Sequence, residues 1–186
     1  MNDARSGAFA EYWFDKKDIN PEKREGKTYL MLNTGVGGSY IDRENIRFGK
    51  HNRYGEFGHM TLILPEDHVF VEKEDALRVM CQQGVYQLIW ELHLIYSLTN
   101  LKMAMKSIKI FDKYLDDLTT GINNLYIMSD GDVIVGGPVA VYLEKYKDII
   151  SKMLIDKCSF DIDGLYLSFA KCTQQQADSG AALTFF

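Results

Sequence analysis

The chain has 186 residues, of which 46% are hydrophobic and 25% charged, and its formal net charge is −5. Such a composition suits one globular domain with a core of its own and excludes a disordered or low-complexity chain. The acidic balance argues against non-specific nucleic-acid binding, which needs a basic footprint.

The first predicted element is a helix over residues 2–17. Asn2 or Asp3 can cap it, and Ala4, Ala8, Phe9, Tyr12 and Trp13 recur at helical spacing. A polar loop follows, and TYLMLNTGVGGSYID then reads as two strands in a hairpin turning around Gly35, Gly37 and Gly38. The polar, glycine-rich stretch 43–58 reads as a long surface loop, a feature that is often functional. HMTLILP is expected to be a short strand closed by Pro65.

Residues 73–98 suggest a helix broken near Gly84, and residues 102–124 a second helix with Phe111, Tyr114, Leu115, Leu118 and Ile122 on one stripe. DVIVGGP reads as a buried strand ending in a glycine pair. Residues 139–154 read as one amphipathic helix, with Tyr142, Leu143, Tyr146, Ile149, Ile150 and Met153 on its apolar face. GLYLSFAK is a further strand, and DSGAALTFF the start of a last helix. Alternation of strands and helices in the second half points to an α/β architecture with a mixed or parallel sheet.

No stretch approaches the ~20 apolar residues that span a bilayer. The start MNDARSGAF lacks the basic and apolar segments of a signal peptide, so the expected location is the cytoplasm. Cys81, Cys158 and Cys172 are odd in number and widely spaced, which fits neither a disulfide framework nor a zinc set. They are expected to be buried or half-buried thiols in a reducing compartment.

Four motifs could carry chemistry. Asp3, within Asn2-Asp3-Ala4, stands at a helix N-terminus, where backbone N–H groups can hold a carboxylate that serves as general base for a hydroxyl; taken alone it is an ordinary cap. In Asn33-Thr34-Gly35-Val36-Gly37-Gly38, glycines would let the backbone approach phosphate oxygens and Thr34 adds a hydroxyl; taken alone, an ordinary tight turn explains them better. In Gly55-Glu56-Phe57-Gly58-His59, Glu56 can accept hydrogen bonds from vicinal sugar hydroxyls and His59 can donate one or bind a metal. Val133-Ile134-Val135-Gly136-Gly137-Pro138 ends a buried strand in a glycine pair. That pair leaves room for a flat ligand, or serves close helix–strand packing.

Together with Gly180-Ala181-Ala182 near the end, these motifs stand in the order and approximate spacing of one family over nearly the whole chain. The sequence resembles the C-terminal, sugar-contacting part of ROK proteins, which are bacterial sugar kinases and sugar-responsive repressors. The resemblance implies an actin/hexokinase-like (ribonuclease H-like) α/β lobe, a mixed sheet with flanking helices, made by residues 1–186 as a single unit. It further implies ATP- and Mg2+-dependent phosphoryl transfer to a hexose or amino-sugar hydroxyl. Asp3 would be the base, and Asn2, Glu56 and His59 would hold the sugar. Thr34, Gly35 and Gly37 would face the ATP phosphates, and Gly136 and Gly137 would flank the adenosine.

The sequence departs from the family in two places. The Asp-hydrophobic-Gly-Gly-Thr motif of the family's N-terminal lobe is absent from these 186 residues. The family's Cys-x-Cys-Gly-x-x-Gly-Cys-x-Glu zinc cluster is replaced by TLILPEDHVFVEKEDALRVMCQQG, whose Cys81 and His68 do not complete a zinc set. No zinc is therefore expected, and Glu72 and Glu74 are the only nearby candidates for the sugar-contacting Glu, without a secure equivalent. The expectation is a truncated or split sugar-kinase lobe, inactive alone and homodimeric, awaiting a separate N-terminal lobe. The alternative is the sugar-sensing and dimerisation module of a repressor; the chain itself offers no helix-turn-helix.

Overall fold

A computed structural model describes residues 3–15, 26–33, 35–42, 45–62, 101–160 and 163–171. The predicted helix over 73–98, the glycine-alanine tail, Cys81 and Cys172 lie outside the described residues.

Helix α1 is Asp3–Asp15. It is followed by strands β1 (Lys27–Leu32), β2 (Val36–Asp42) and the two-residue β3 (Asn45–Ile46). A 3₁₀ turn at Phe57–His59 precedes the long helix α2, Leu101–Ser129. The chain then runs through β4 (Val133–Gly136), α3 (Pro138–Leu143), a 3₁₀ turn at Glu144–Tyr146, α4 (Lys147–Lys157) and β5 (Leu167–Phe169).

The five strands make one mixed sheet in the order β3-β2-β1-β4-β5. β1 runs antiparallel to β2 and parallel to β4, and β4 runs parallel to β5. Side chains alternate across a pleated sheet, so each strand serves two cores. On one face Tyr29, Met31, Ile41 and Ile134 meet Ala4 and Ala8 of α1. On the other, Leu30, Leu32, Val36, Val133, Val135 and Leu167 meet Leu115, Leu118, Ile122 and Leu125 of α2, Leu143 of α3, and Ile150 and Leu154 of α4. The small residues of α1 allow it to lie close to the sheet, whereas α2 meets it through leucine and isoleucine.

The stripe expected on the second helix is present. Tyr114, Leu115, Leu118 and Ile122 are buried, and the helix continues five residues beyond Asn124. Its end is local: Ser129 donates back to the Leu125 carbonyl at 2.8 Å, and Asp130 takes a left-handed φ of 49°.

Three expectations are corrected. Residues 139–154 are two helices joined by a 3₁₀ turn, and Tyr142 and Ile149 are exposed. A helix lying on one layer buries a stripe about 100° wide, too narrow for six residues that include two adjacent pairs; Val139, Ala140, Leu143, Ile150 and Leu154 take it. Gly37 and Gly38 lie inside β2, paired with Met31 and Leu30, so the hairpin turns at 33–35 instead. The 43–58 stretch contains β3 and buries Gly55, Phe57 and Gly58, while His59 closes a 3₁₀ turn rather than opening a strand.

Candidate functional site

The sheet brings the sequence motifs to one end of the molecule. β1 and β4 are parallel, with Met31 opposite Gly136, so the turn after β1 and the turn after β4 leave the same edge of the sheet. The first carries Gly35 and the second Gly137. α1 begins at this edge as well, because a Cβ built on Gly37 would lie 3.2 Å from the Ala4 Cβ. Asp3, one residue earlier, is exposed there. Asn2 and Thr34 lie outside the described residues.

Gly35, Gly37 and Gly137 are half-buried and present backbone to solvent at this edge, while Gly136 is buried. The Gly136–Gly137 pair has a packing reason of its own. A Cβ on Gly136 would stand 2.1 Å from the Tyr29 hydroxyl, and one on Gly137 2.3 Å from the Leu32 carbonyl oxygen. Gly137 also has φ 91° and ψ 173°, a conformation essentially reserved for glycine, and it caps α3 with Pro138 at the first helical position. Asn33 donates its N–H to the Gly35 carbonyl at 2.9 Å and closes the turn after β1.

Glu56 and His59 bracket the 3₁₀ turn and are both exposed, and the His59 N–H donates to the Glu56 carbonyl at 3.1 Å. Between them Phe57 is buried as an anchor. A Cβ on Gly38 would come within 2.1 Å of its ring, so the glycine inside β2 is what admits it. Gly55, at φ 95°, rests its backbone against the Gly38 carbonyl. These contacts fix Glu56 and His59 beside β2, on the strand whose start carries Gly37.

Farther along the same strand, Arg47 stacks over the Tyr40 ring, 5.4 Å from its centroid, and Tyr54 meets Tyr40 edge-on at 6.3 Å. Burial raises the Tyr40 hydroxyl above its ordinary range; the Asp42 carboxylate adds to this and Arg47 opposes it. Among the described residues no group of three or more His, Cys, Asp or Glu could hold a metal ion, and no helix is long and apolar enough to cross a membrane. Cys158 is a half-buried free thiol.

The ROK family model matches residues 1–185. The chain belongs to the ROK family. As a ROK protein it is 28% identical over 174 residues to the N-acetyl-D-glucosamine kinase of Yersinia enterocolitica serotype O:8, an alignment covering 82% of this chain and 55% of that enzyme. The chain thus spans about half the length of the curated relatives it matches. Its fold is that of the ROK hexokinase of Thermus thermophilus, with a TM-score of 0.73 and 22% identity over 99% of this chain and 63% of that one. It is also that of the ROK glucokinase of Streptomyces griseus, solved with glucose and AMPPNP, with a TM-score of 0.64 and 18% identity over 99% of this chain and 66% of that one. The expected actin/hexokinase-like α/β class, with a mixed sheet and flanking helices, is the observed one.

Sequence reasoning missed Tyr29, Gly7, Phe57 and Arg5 as residues that build this site. A tyrosine in a buried strand reads as core, and the glycines that accommodate it lie 22 residues before it and 107 after it.

Proposed function

We propose that this chain is the sugar- and adenosine-facing lobe of an ATP-dependent ROK-type kinase that phosphorylates a hydroxyl of a hexose or amino-sugar, N-acetyl-D-glucosamine being the first substrate to test. The observation that carries this reading is the gathering of Asp3, Gly35, Gly37 and Gly137 at one sheet edge, with the Glu56–His59 turn seated on β2 beside them. Asp3 is exposed, so its carboxylate can accept the proton of a sugar hydroxyl as that oxygen attacks the γ-phosphorus and the bond to the bridging oxygen breaks, ADP leaving with it. Asn2, Glu56 and His59 hold the sugar. The half-buried backbone of Gly35 and Gly37, with Thr34, faces the phosphates, and the turn at Gly136–Gly137 flanks the adenosine. Mg2+, when bound with the nucleotide, would supply neutralisation of phosphate charge.

Phosphoryl transfer depends on positioning and charge neutralisation, so one lobe supplies only part of the machinery. Residues 1–186 act as a single lobe without a zinc site. They turn over only when joined to phosphate-binding residues of an Asp-hydrophobic-Gly-Gly-Thr type, and they work as a cytoplasmic homodimer. The exposed apolar side chains Ile155 and Leu165 beside Gly164, and the exposed Phe160, favour self-association. A coupled ATP assay across a sugar panel tests this. The chain alone is expected to be silent, and adding a lobe that bears Asp-x-Gly-Gly-Thr is expected to restore turnover that Asp3→Asn then abolishes. Robust turnover by the isolated chain refutes the dependence on a second lobe.

A further inference from the structure

The Glu56–His59 turn is reached through a loop that could not hold its shape unaided. Gly49 (φ 70°), Asn52 (φ 56°) and Gly55 (φ 95°) all take left-handed backbone conformations within seven positions. β3 pairs only with Ile41 and Asp42 of β2, so the rest of that sheet edge is covered by this loop and not by a strand. Inside the loop, the carbonyls of Phe48, Gly49, Arg53 and Glu56 accept from Tyr54, Asn52, Glu56 and His59 respectively.

The carbonyls of Asn52 and Tyr54 are taken from elsewhere. Arg5 of α1, half-buried, donates from Nη2 to the Asn52 carbonyl at 2.7 Å and to the Tyr54 carbonyl at 3.5 Å. Its guanidinium carbon stands 4.8 Å from the centroid of the Phe48 ring. One cation therefore ties Asn52 and Tyr54 through a single nitrogen while its flat face covers the Phe48 ring, a stacking that a point charge does not reproduce. Three consecutive residues of α1 thus have three duties. Asp3 is presented to solvent, Ala4 rests on Gly37, and Arg5 clasps the loop that leads directly into Glu56.

We propose that Arg5 is a positioning residue that sets the Glu56–His59 turn against Asp3, so that sugar contacts and base are held in one register. The proposal rests on the kinase-lobe reading for its substrate, and on the contacts of Arg5 for its mechanism. Arg5 makes these contacts on the loop that leads into Glu56. Its loss therefore loosens sugar binding and leaves nucleotide binding in place.

The test is calorimetric titration of the full chain with N-acetyl-D-glucosamine and with AMPPNP, for wild type, Arg5→Met and Arg5→Lys. Hydrogen exchange is read at the Tyr54, Glu56 and His59 amides and at β4. The methionine variant is expected to weaken sugar binding about tenfold or more, the scale set by small misplacements in a site, with AMPPNP affinity unchanged. The lysine variant, which keeps a cationic donor and loses the planar group over the Phe48 ring, is expected to fall between. Exchange is expected to quicken at residues 54–59 and not in β4. Equal weakening of both ligands with faster exchange throughout makes Arg5 merely structural and overturns the proposal, as does unchanged sugar affinity in Arg5→Met. Wild-type protein that binds neither ligand removes the kinase-lobe reading, and the proposal with it. Wild-type binding that survives Arg5→Met removes the proposal alone.

Discussion

Gly136→Ala probes the joint between α1 and the turn after β4. The added methyl would lie 2.1 Å from the Tyr29 hydroxyl oxygen, 2.5 Å from Cζ and 2.8 Å from Cε2. Ordinary contacts between such atoms are about 3.5–4.0 Å, so the overlap exceeds about 1 Å. Tyr29 cannot retreat across α1, because a Cβ on Gly7 would already be 2.8 Å from the same hydroxyl, and the residue is only 5% exposed. Overpacking of this kind costs about 1–3 kcal/mol, and the upper half of that range is expected here. Removing the ring should relieve it. In a double-mutant cycle with Tyr29→Leu, urea unfolding should show a favourable coupling of at least about 1 kcal/mol. Tyr29→Phe should relieve less, since Cζ remains. Additivity of the two substitutions within about 0.5 kcal/mol would refute the argument that Tyr29 is why position 136 is glycine.

Two further outcomes concern the body of the lobe. Leu118→Ala, at a residue 1% exposed between α2 and the sheet, should lower unfolding free energy by about 3 kcal/mol in the same urea assay, within the range of such truncations. Tyr40 contributes a pH dependence. Its folded pKa is raised above the ordinary value of 10.0, so its contribution is fully present below pH 10.0 and is lost as pH rises through the folded value. Alkaline unfolding curves of wild type and Tyr40→Phe should therefore diverge above pH 10.0, with the variant losing less stability.

Much of the lobe was legible in the sequence because its signals are local. Helical spacing placed α1 and α2, and the turn of alternating strands with a glycine cluster placed the β1–β2 hairpin. The run Val133 to Gly136 is apolar throughout, as a strand buried on both faces must be. Non-local packing hid the rest. Gly38 looks like a turn residue until Phe57 is seen lying in the space its missing Cβ leaves. The 139–154 segment keeps a helical period through the 3₁₀ turn at Glu144–Tyr146, where Tyr146 docks edge-on against Phe111 of α2 at 4.7 Å. Arg5 carries no signal, because its partners lie 47 and 49 residues away and are backbone carbonyls, which any sequence supplies. For the candidate site, motif order names the candidate residues. What could not be read was their grouping: the parallel pairing of β1 with β4, across about a hundred residues, brings Gly35 and Gly137 to one edge.

The central claim, that this ROK lobe presents a sugar site built from Asp3 and the Glu56–His59 turn, is tested most directly by calorimetric titration with N-acetyl-D-glucosamine, repeated for Glu56→Gln and His59→Ala. The account predicts saturable binding to wild type and a loss of affinity of about tenfold or more for each variant, as expected when a hydrogen-bonding partner of a sugar hydroxyl is removed. Binding that is indifferent to both substitutions would contradict it.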